Sequence, residues 1–156
     1  GLDLSVNMLD IAKEKAKNKR IEDVKFIEGD AENLPFEDNI FDKLVISYGL
    51  RNLGDVEKGI REFYRVLKPG GELGVLEFFQ PRSTIISNLF KLYFNHILPR
   101  IAALFSNSKA YRYLPESVEN FVSPDQLIHL FNEVGFKNIK SKNMSFGITT
   151  IINAQK

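Results

Sequence analysis

Seven polar residues of the chain fall where an apolar segment gives way to a loop: Asp3, Asp30, Ser47, Tyr48, Arg51, Asn52 and Glu77. Their types limit what they can do. Carboxylates accept hydrogen bonds from diols and amines, whereas a guanidinium never loses its proton in a protein, so Arg51 can only donate and stabilise a developing oxyanion. Asn52 can orient that oxygen or a bound water. Parallel strands align their carboxyl ends, and ligands of open α/β sheets bind in the crevice beyond them, so Asp3, Asp30, Ser47 and Glu77, at four strand ends, are predicted to line one rim. An acid in the position of Asp3 suits a ribose diol. Asp30, followed by the small Ala31, can accept from the exocyclic amine of adenine while Met8 packs its thioether on the ring. Taken singly, each has a plainer reading. Asp3 would be a solvated carboxylate or helix-cap partner, Met8 core, Arg51 a surface cation paired with a neighbour such as Asp55, and Glu77 a carboxylate meeting water. Asp3 and Asp30 at successive strand ends favour the rim.

The elements that must position these residues follow from periodicity. Leu44-Val45-Ile46, bounded by Glu37-Asp38-Asn39 and Gly49, reads as a strand buried on both faces. Ser5 is an N-cap candidate for a helix over 6–18, with Met8, Leu9, Ile11, Ala12 and Ala16 on one side. Residues 24–28 alternate like a strand. Val56, Ile60, Phe63, Val66 and Leu67 recur at helical spacing until Lys68-Pro69-Gly70-Gly71 stops the helix, and 73–79 is another apolar strand. Such alternation implies parallel pairing with helices on both faces. Over 83–105 a broad apolar face (Ile85, Ile86, Leu89, Phe90, Phe94, Leu98 among others) opposes a polar one, and the polar interruptions and Pro99 argue against a membrane span. A helix over 124–134 closed by Gly135 precedes two strand-like segments, 137–144 and 148–154, joined at Phe146-Gly147 as an antiparallel edge hairpin.

At 156 residues the chain is predicted to be a single domain. Lys and Arg number 21 against 20 Asp and Glu, a net charge of +1 that argues against a nucleic-acid partner. The absence of cysteine excludes disulfides, thiolate metal sites and a cysteine nucleophile; it suits the cytoplasm, and no metal site is predicted. His96 and His129 read as structural or solvated, so no general base is identified. The chain opens Gly1-Leu2-Asp3 without an initiator Met or signal-peptide pattern, like the tail of a strand already under way, and the expectation is an N-terminal truncation.

Gly1-Leu2-Asp3, Gly29-Asp30-Ala31-Glu32-Asn33-Leu34-Pro35-Phe36, Asp38-Asn39-Ile40-Phe41-Asp42 and Arg65-Val66-Leu67-Lys68-Pro69-Gly70-Gly71 together resemble the class I S-adenosylmethionine-dependent methyltransferases. More narrowly, Tyr48-Gly49-Leu50-Arg51-Asn52, Leu76-Glu77-Phe78 with Pro81, and Tyr111-Arg112-Tyr113-Leu114-Pro115-Glu116-Ser117 are similar to the ubiquinone/menaquinone biosynthesis C-methyltransferases. The resemblance covers essentially the whole chain. It implies an α/β, Rossmann-like sheet, mostly parallel with an antiparallel C-terminal edge hairpin, lacking the first strand and glycine-rich loop. Residues 83–117 would be a helical, substrate-covering insertion within the single domain. The implied cofactor is S-adenosyl-L-methionine, with Asp3 at the ribose, Asp30 and Ala31 at the adenine end, Met8 beside it and Ser47 near the methionyl portion. The implied acceptor is a prenylated quinol, methylated on carbon, with Arg51 and Asn52 catalytic and Tyr48, Glu77, Tyr111 and Tyr113 contacting substrate. Peripheral attachment to the inner face of a membrane would give access to the tail, and a homodimer is left open. The rival readings are a class I methyltransferase for another small or lipid acceptor and a non-catalytic nucleotide-binding fragment.

Overall fold

Local chemistry sets most of the element boundaries in the computed structural model, which describes residues 1–81, 92 and 117–156. The Ser5 hydroxyl accepts from the Met8 N–H at 3.4 Å and starts α1 (Val6–Asn18). Asp55 does the same for α2 (Val56–Val66) through Lys58 N–H at 3.0 Å. Ser123 and Gln126 form a reciprocal capping box at the head of α3 (Pro124–Val134), and Gly135, at φ 116°, ends it in the left-handed conformation that glycine adopts without strain.

The strands fall into two groups. β1 (Leu2–Asp3) pairs in parallel with β2 (Ile27–Glu28), Leu2 opposite Ile27 and Asp3 opposite Glu28. Four others form a separate sheet in the order β3 (Phe41–Ser47), β4 (Leu67–Phe78), β6 (Thr149–Gln155), β5 (Lys137–Met144). β3 and β4 are parallel, while β6 runs antiparallel to both β4 and β5, as the expected C-terminal hairpin requires. Ser145–Gly147 joins β5 to β6 as a 3₁₀ turn, with Phe146 at φ 59° and 86 % exposed. An apolar cleft of about 800 Å³, bordered by Leu2, Ile27, Ala31, Phe41, Val45 and Ile46, lies between the two groups.

Alternation along the strands puts Leu73, Val75 and Phe79 of the β4 segment, with Ile152 and Ala154 of β6, on one face, where α2 and α3 cover them with Ile60, Phe63, Val66, Leu127 and Phe131. The opposite face carries Lys43, Val45, Glu72, Gly74, Asn153 and Lys140 and forms an open groove of about 560 Å³. Here the sequence expectation needs correcting. The apolar run of β3 predicts burial on both faces, yet Val45 is 75 % exposed, because no described element covers that side. Likewise Leu9 alone of the α1 residues is buried, with Met8 and Ile11 exposed, because among the described elements α1 packs mainly on the short β1–β2 pair. The Lys-Pro-Gly-Gly run does end α2 at Val66, but β4 begins at once with Leu67. A register shift opposite residues 41–43 absorbs the turn at Gly70, whose φ is 81°.

A cluster around Arg65 ties the loop before β3 to α2. Its guanidinium donates to both Glu62 oxygens, to Asp38 and to the carbonyls of Leu34 and Phe36, all within 3.0 Å. Glu62 also accepts the Leu34 N–H at 2.8 Å. The insertion 83–117, with Tyr111 and Tyr113, lies outside the described residues apart from Leu92 and Ser117.

Candidate functional site

Parallel pairing fixes where the polar residues go. Asp3 ends β1 and Asp30 follows β2 by two residues, and the Gly29 N–H donates to the Asp3 carbonyl at 3.1 Å, so the two carboxylates occupy the same edge of one small sheet. Each uses one oxygen on its own loop. Asp3 Oδ1 accepts the Ser5 N–H at 2.8 Å and Asp30 Oδ1 accepts the Glu32 N–H at 2.8 Å. The second oxygen of each has no protein partner among the described residues, which leaves an acceptor at each strand end for a ligand's donors. Ala31 borders the adjoining cleft. Met8, 55 % exposed on the first turn of α1, keeps its thioether accessible.

The second sheet brings its own ends together. Ser47 closes β3 opposite Leu76, and the Tyr48 N–H donates to the Leu76 carbonyl at 2.8 Å. Tyr48 then turns into the left-handed region, φ 56°, which costs a tyrosine on the order of 1 kcal/mol and therefore needs compensation. It has two sources. The ring stacks on Phe78 with centroids 4.4 Å apart, and the carbonyl accepts from Arg51 Nη1 at 2.7 Å and from Asn52 Nδ2 at 3.4 Å. The chain continues as a 3₁₀ turn, Leu50–Asn52, with Leu50 wholly buried.

Arg51 is the centre of this corner. Its side chain is 8 % exposed and lies 2.7 Å from Glu77, which is fully buried. Nε donates to Ser117 Oγ at 3.2 Å, and the guanidinium carbon sits 5.6 Å from the Phe78 ring centroid. Three of its five N–H donors are thus engaged. The two on Nη2 have no partner among the described residues, and no described buried side-chain nitrogen lacks one, so Nη2 keeps contact with the solvent side. The other end of the loop is pinned by Glu32, whose Oε1 accepts from Gly54 and Asp55 N–H at 2.6 and 3.1 Å.

The structure therefore brings Ser47, Tyr48, Arg51, Asn52 and Glu77 together at one corner and Asp3, Asp30 and Ala31 at another strand edge with Met8 nearby. Tyr111 and Tyr113 fall outside the described residues. The plain alternative for Arg51, a surface pair with Asp55, is not what forms; Asp55 caps α2 instead. Both Glu77 oxygens are engaged inside the protein, neither left for a solvent or acceptor contact. Sequence reasoning gave Ser117 and Glu32 no role beyond their motifs. Glu77 did carry a signal, since it occupies the buried register of Leu73, Val75 and Phe79, where a carboxylate must be paired. Among the described residues no cluster of acidic or histidine side chains could hold a metal ion, and no helix is long and apolar enough to cross a membrane.

Comparison with known proteins bears on this arrangement. The ubiE/COQ5 methyltransferase family matches residues 1–156. The ubiquinone/menaquinone biosynthesis C-methyltransferase UbiE of Geotalea daltonii is 40 % identical over 157 aligned positions, covering 100 % of this chain and 67 % of that protein. The demethylmenaquinone methyltransferase of Deinococcus radiodurans is 44 % identical over 149 positions, covering 95 % of this chain and 61 % of that one. The chain thus spans roughly two thirds of the length of these relatives. Among solved structures, an S-adenosylmethionine-dependent methyltransferase of Thermotoga maritima, a possible histamine N-methyltransferase, superposes with a TM-score of 0.69 at 22 % identity, over 100 % of this chain and 72 % of that one. At that identity the likeness concerns the fold: the α/β, Rossmann-like methyltransferase sheet.

Proposed function

The chain belongs to the ubiE/COQ5 methyltransferase family, and from that premise we propose that the protein methylates a ring carbon of a prenylated quinol, demethylmenaquinol or the polyprenyl methoxybenzoquinol, using S-adenosylmethionine. The observation that carries the reading is the pair of strand-end carboxylates, each with an oxygen to spare, in a chain whose close relatives are named as quinone-pathway C-methyltransferases. When bound, S-adenosylmethionine supplies an electrophilic methyl group on a sulfonium. Asp3 would accept from the ribose hydroxyls, Asp30 from the adenine amine beside Ala31, Met8 would pack against the adenine ring, and Ser47 would serve the methionyl end.

On the acceptor side the chemistry requires an electron-rich ring, so the reduced quinol is the reactive form and its phenolate better still. Arg51 donates from Nη2 to the phenolic oxygen and stabilises the phenolate, which raises electron density at the ring carbon that forms the new bond. After transfer that carbon loses its proton to water and the ring regains aromaticity. Asn52 orients the oxygen, and Tyr48, 38 % exposed, borders the ring. The isoprenoid tail needs an apolar path, and the sequence over 85–98 is the candidate for its cover, with a peripheral position at the inner face of a quinone-bearing membrane as part of the same proposal.

The test is methyl transfer from labelled S-adenosylmethionine by the full-length protein, offered demethylmenaquinol beside simple phenols and a lipid acceptor. Label on a ring carbon of the quinol is expected; label on the other acceptors alone would refute the choice of substrate.

A further inference from the structure

One carboxylate grips Arg51 at two points. Glu77 Oε1 accepts from Arg51 Nη1 at 2.7 Å and from the Phe78 N–H at 2.8 Å, while Oε2 accepts the backbone N–H of Arg51 at 3.2 Å. Main chain and guanidinium of the same arginine are therefore held from a strand 26 residues away in sequence. Ser117, the last residue of the insertion, adds a third point at Nε. Because a guanidinium is planar, these contacts leave its Nη2 edge a single direction. Charge matters as much as direction. Glu77 is fully buried, so its negative charge is offset by Arg51 rather than by water, and an acceptor at Nη2 meets the end of a dipole, not a bare cation.

We infer that Glu77 is a positioning residue that aims the open Nη2 edge of Arg51 at the acceptor oxygen and sets how strongly the guanidinium polarises it. The inference rests on the proposed phenolic acceptor and gives Glu77 a role without any substrate contact.

The two parts separate cleanly in Glu77→Gln. The amide oxygen can keep both bonds made by Oε1, but its NH₂ faces the Arg51 N–H donor and the compensating charge is gone. With the guanidinium uncompensated, a bound phenol ionises more readily. The acid limb of kcat against pH for the full-length enzyme should move about one unit lower, and the maximum should fall about tenfold as the edge loses its aim. Glu77→Asp keeps the charge but is one methylene short, and should lower kcat without moving the limb. A purely structural Glu77 would lower the melting temperature of both variants and leave the profile of the folded fraction superimposable on wild type, which would overturn the inference. Spectral titration of 4-nitrophenol on the same proteins distinguishes failure of the substrate reading. A lowered ionisation midpoint in Glu77→Gln, without turnover of the demethylquinol by wild type, sinks the substrate and keeps the clasp. An unmoved midpoint, or no binding of the phenol, sinks the clasp.

Discussion

Arg65 and Arg51 make an instructive pair, both bound to a glutamate and to loop carbonyls, at two different regions of the molecule. Arg65 uses all five of its N–H donors within the protein, on Glu62, Asp38, Leu34 and Phe36, although its side chain is 30 % exposed. Arg51 is far more enclosed and, among the described residues, uses only three. Burial alone would predict the reverse, since enclosed donors need partners more than exposed ones. A saturated guanidinium at the surface is a fastener. An unsaturated one, held rigidly at the carboxyl ends of parallel strands, is a donor kept in reserve for something that arrives.

The largest effect that sharpens this contrast is on stability. Glu77→Ala removes one member of a buried ion pair and leaves the other enclosed, so the full-length protein should lose about 3 to 5 kcal/mol in denaturant unfolding. Glu62→Ala, at the partly exposed pair, should lose about 1 to 3 kcal/mol. Equal losses would mean that the two clusters are energetically alike. Next, Arg65→Ala should lower stability by a similar 1 to 3 kcal/mol while leaving kcat of the folded fraction unchanged; a lowered kcat would show that this cluster also feeds the site.

The smallest effect is in the pH dependence. The hydrogen bond from Arg65 holds the Glu62 carboxyl below its ordinary value of 4.5. A carboxyl held down in the folded state contributes its stability in full above that ordinary value and loses it as pH falls through the lower folded value. Between about pH 5 and pH 3 the unfolding free energy of wild type should therefore fall more steeply than that of Glu62→Gln. Parallel curves would remove the ion pair from the list of stabilising contacts.

How far the sequence reached depends on whether a feature is local. Ser5 and Gly135 are signals contained within one helical turn, and the helices they bound form where expected. The succession of strand and helix was enough to place Asp3 and Asp30 on one edge, because parallel pairing leaves little choice. The exposure of Val45 is not legible, since an apolar run looks the same whether one face or two are covered. The partners of Arg51 were out of reach for a different reason: they come from 26 and 66 residues away, and no periodicity encodes which distant carboxylate meets which cation. Arg65 belongs to a motif legible in the sequence, but three of its five contacts reach the loop before β3, 27 to 31 residues away.

The most direct measurement is turnover of Arg51→Lys beside Arg65→Lys in the full-length protein, each at saturating S-adenosylmethionine and with the cofactor dissociation constant determined in parallel. Lysine keeps a cation near the carboxylate but cannot present a planar fork. Arg51→Lys should lose about a hundredfold in kcat, the scale of one lost oxyanion donor, with cofactor affinity nearly intact, while Arg65→Lys turns over like wild type. Wild-type turnover in Arg51→Lys, or the same loss in both, would contradict the assignment of Nη2 to the acceptor.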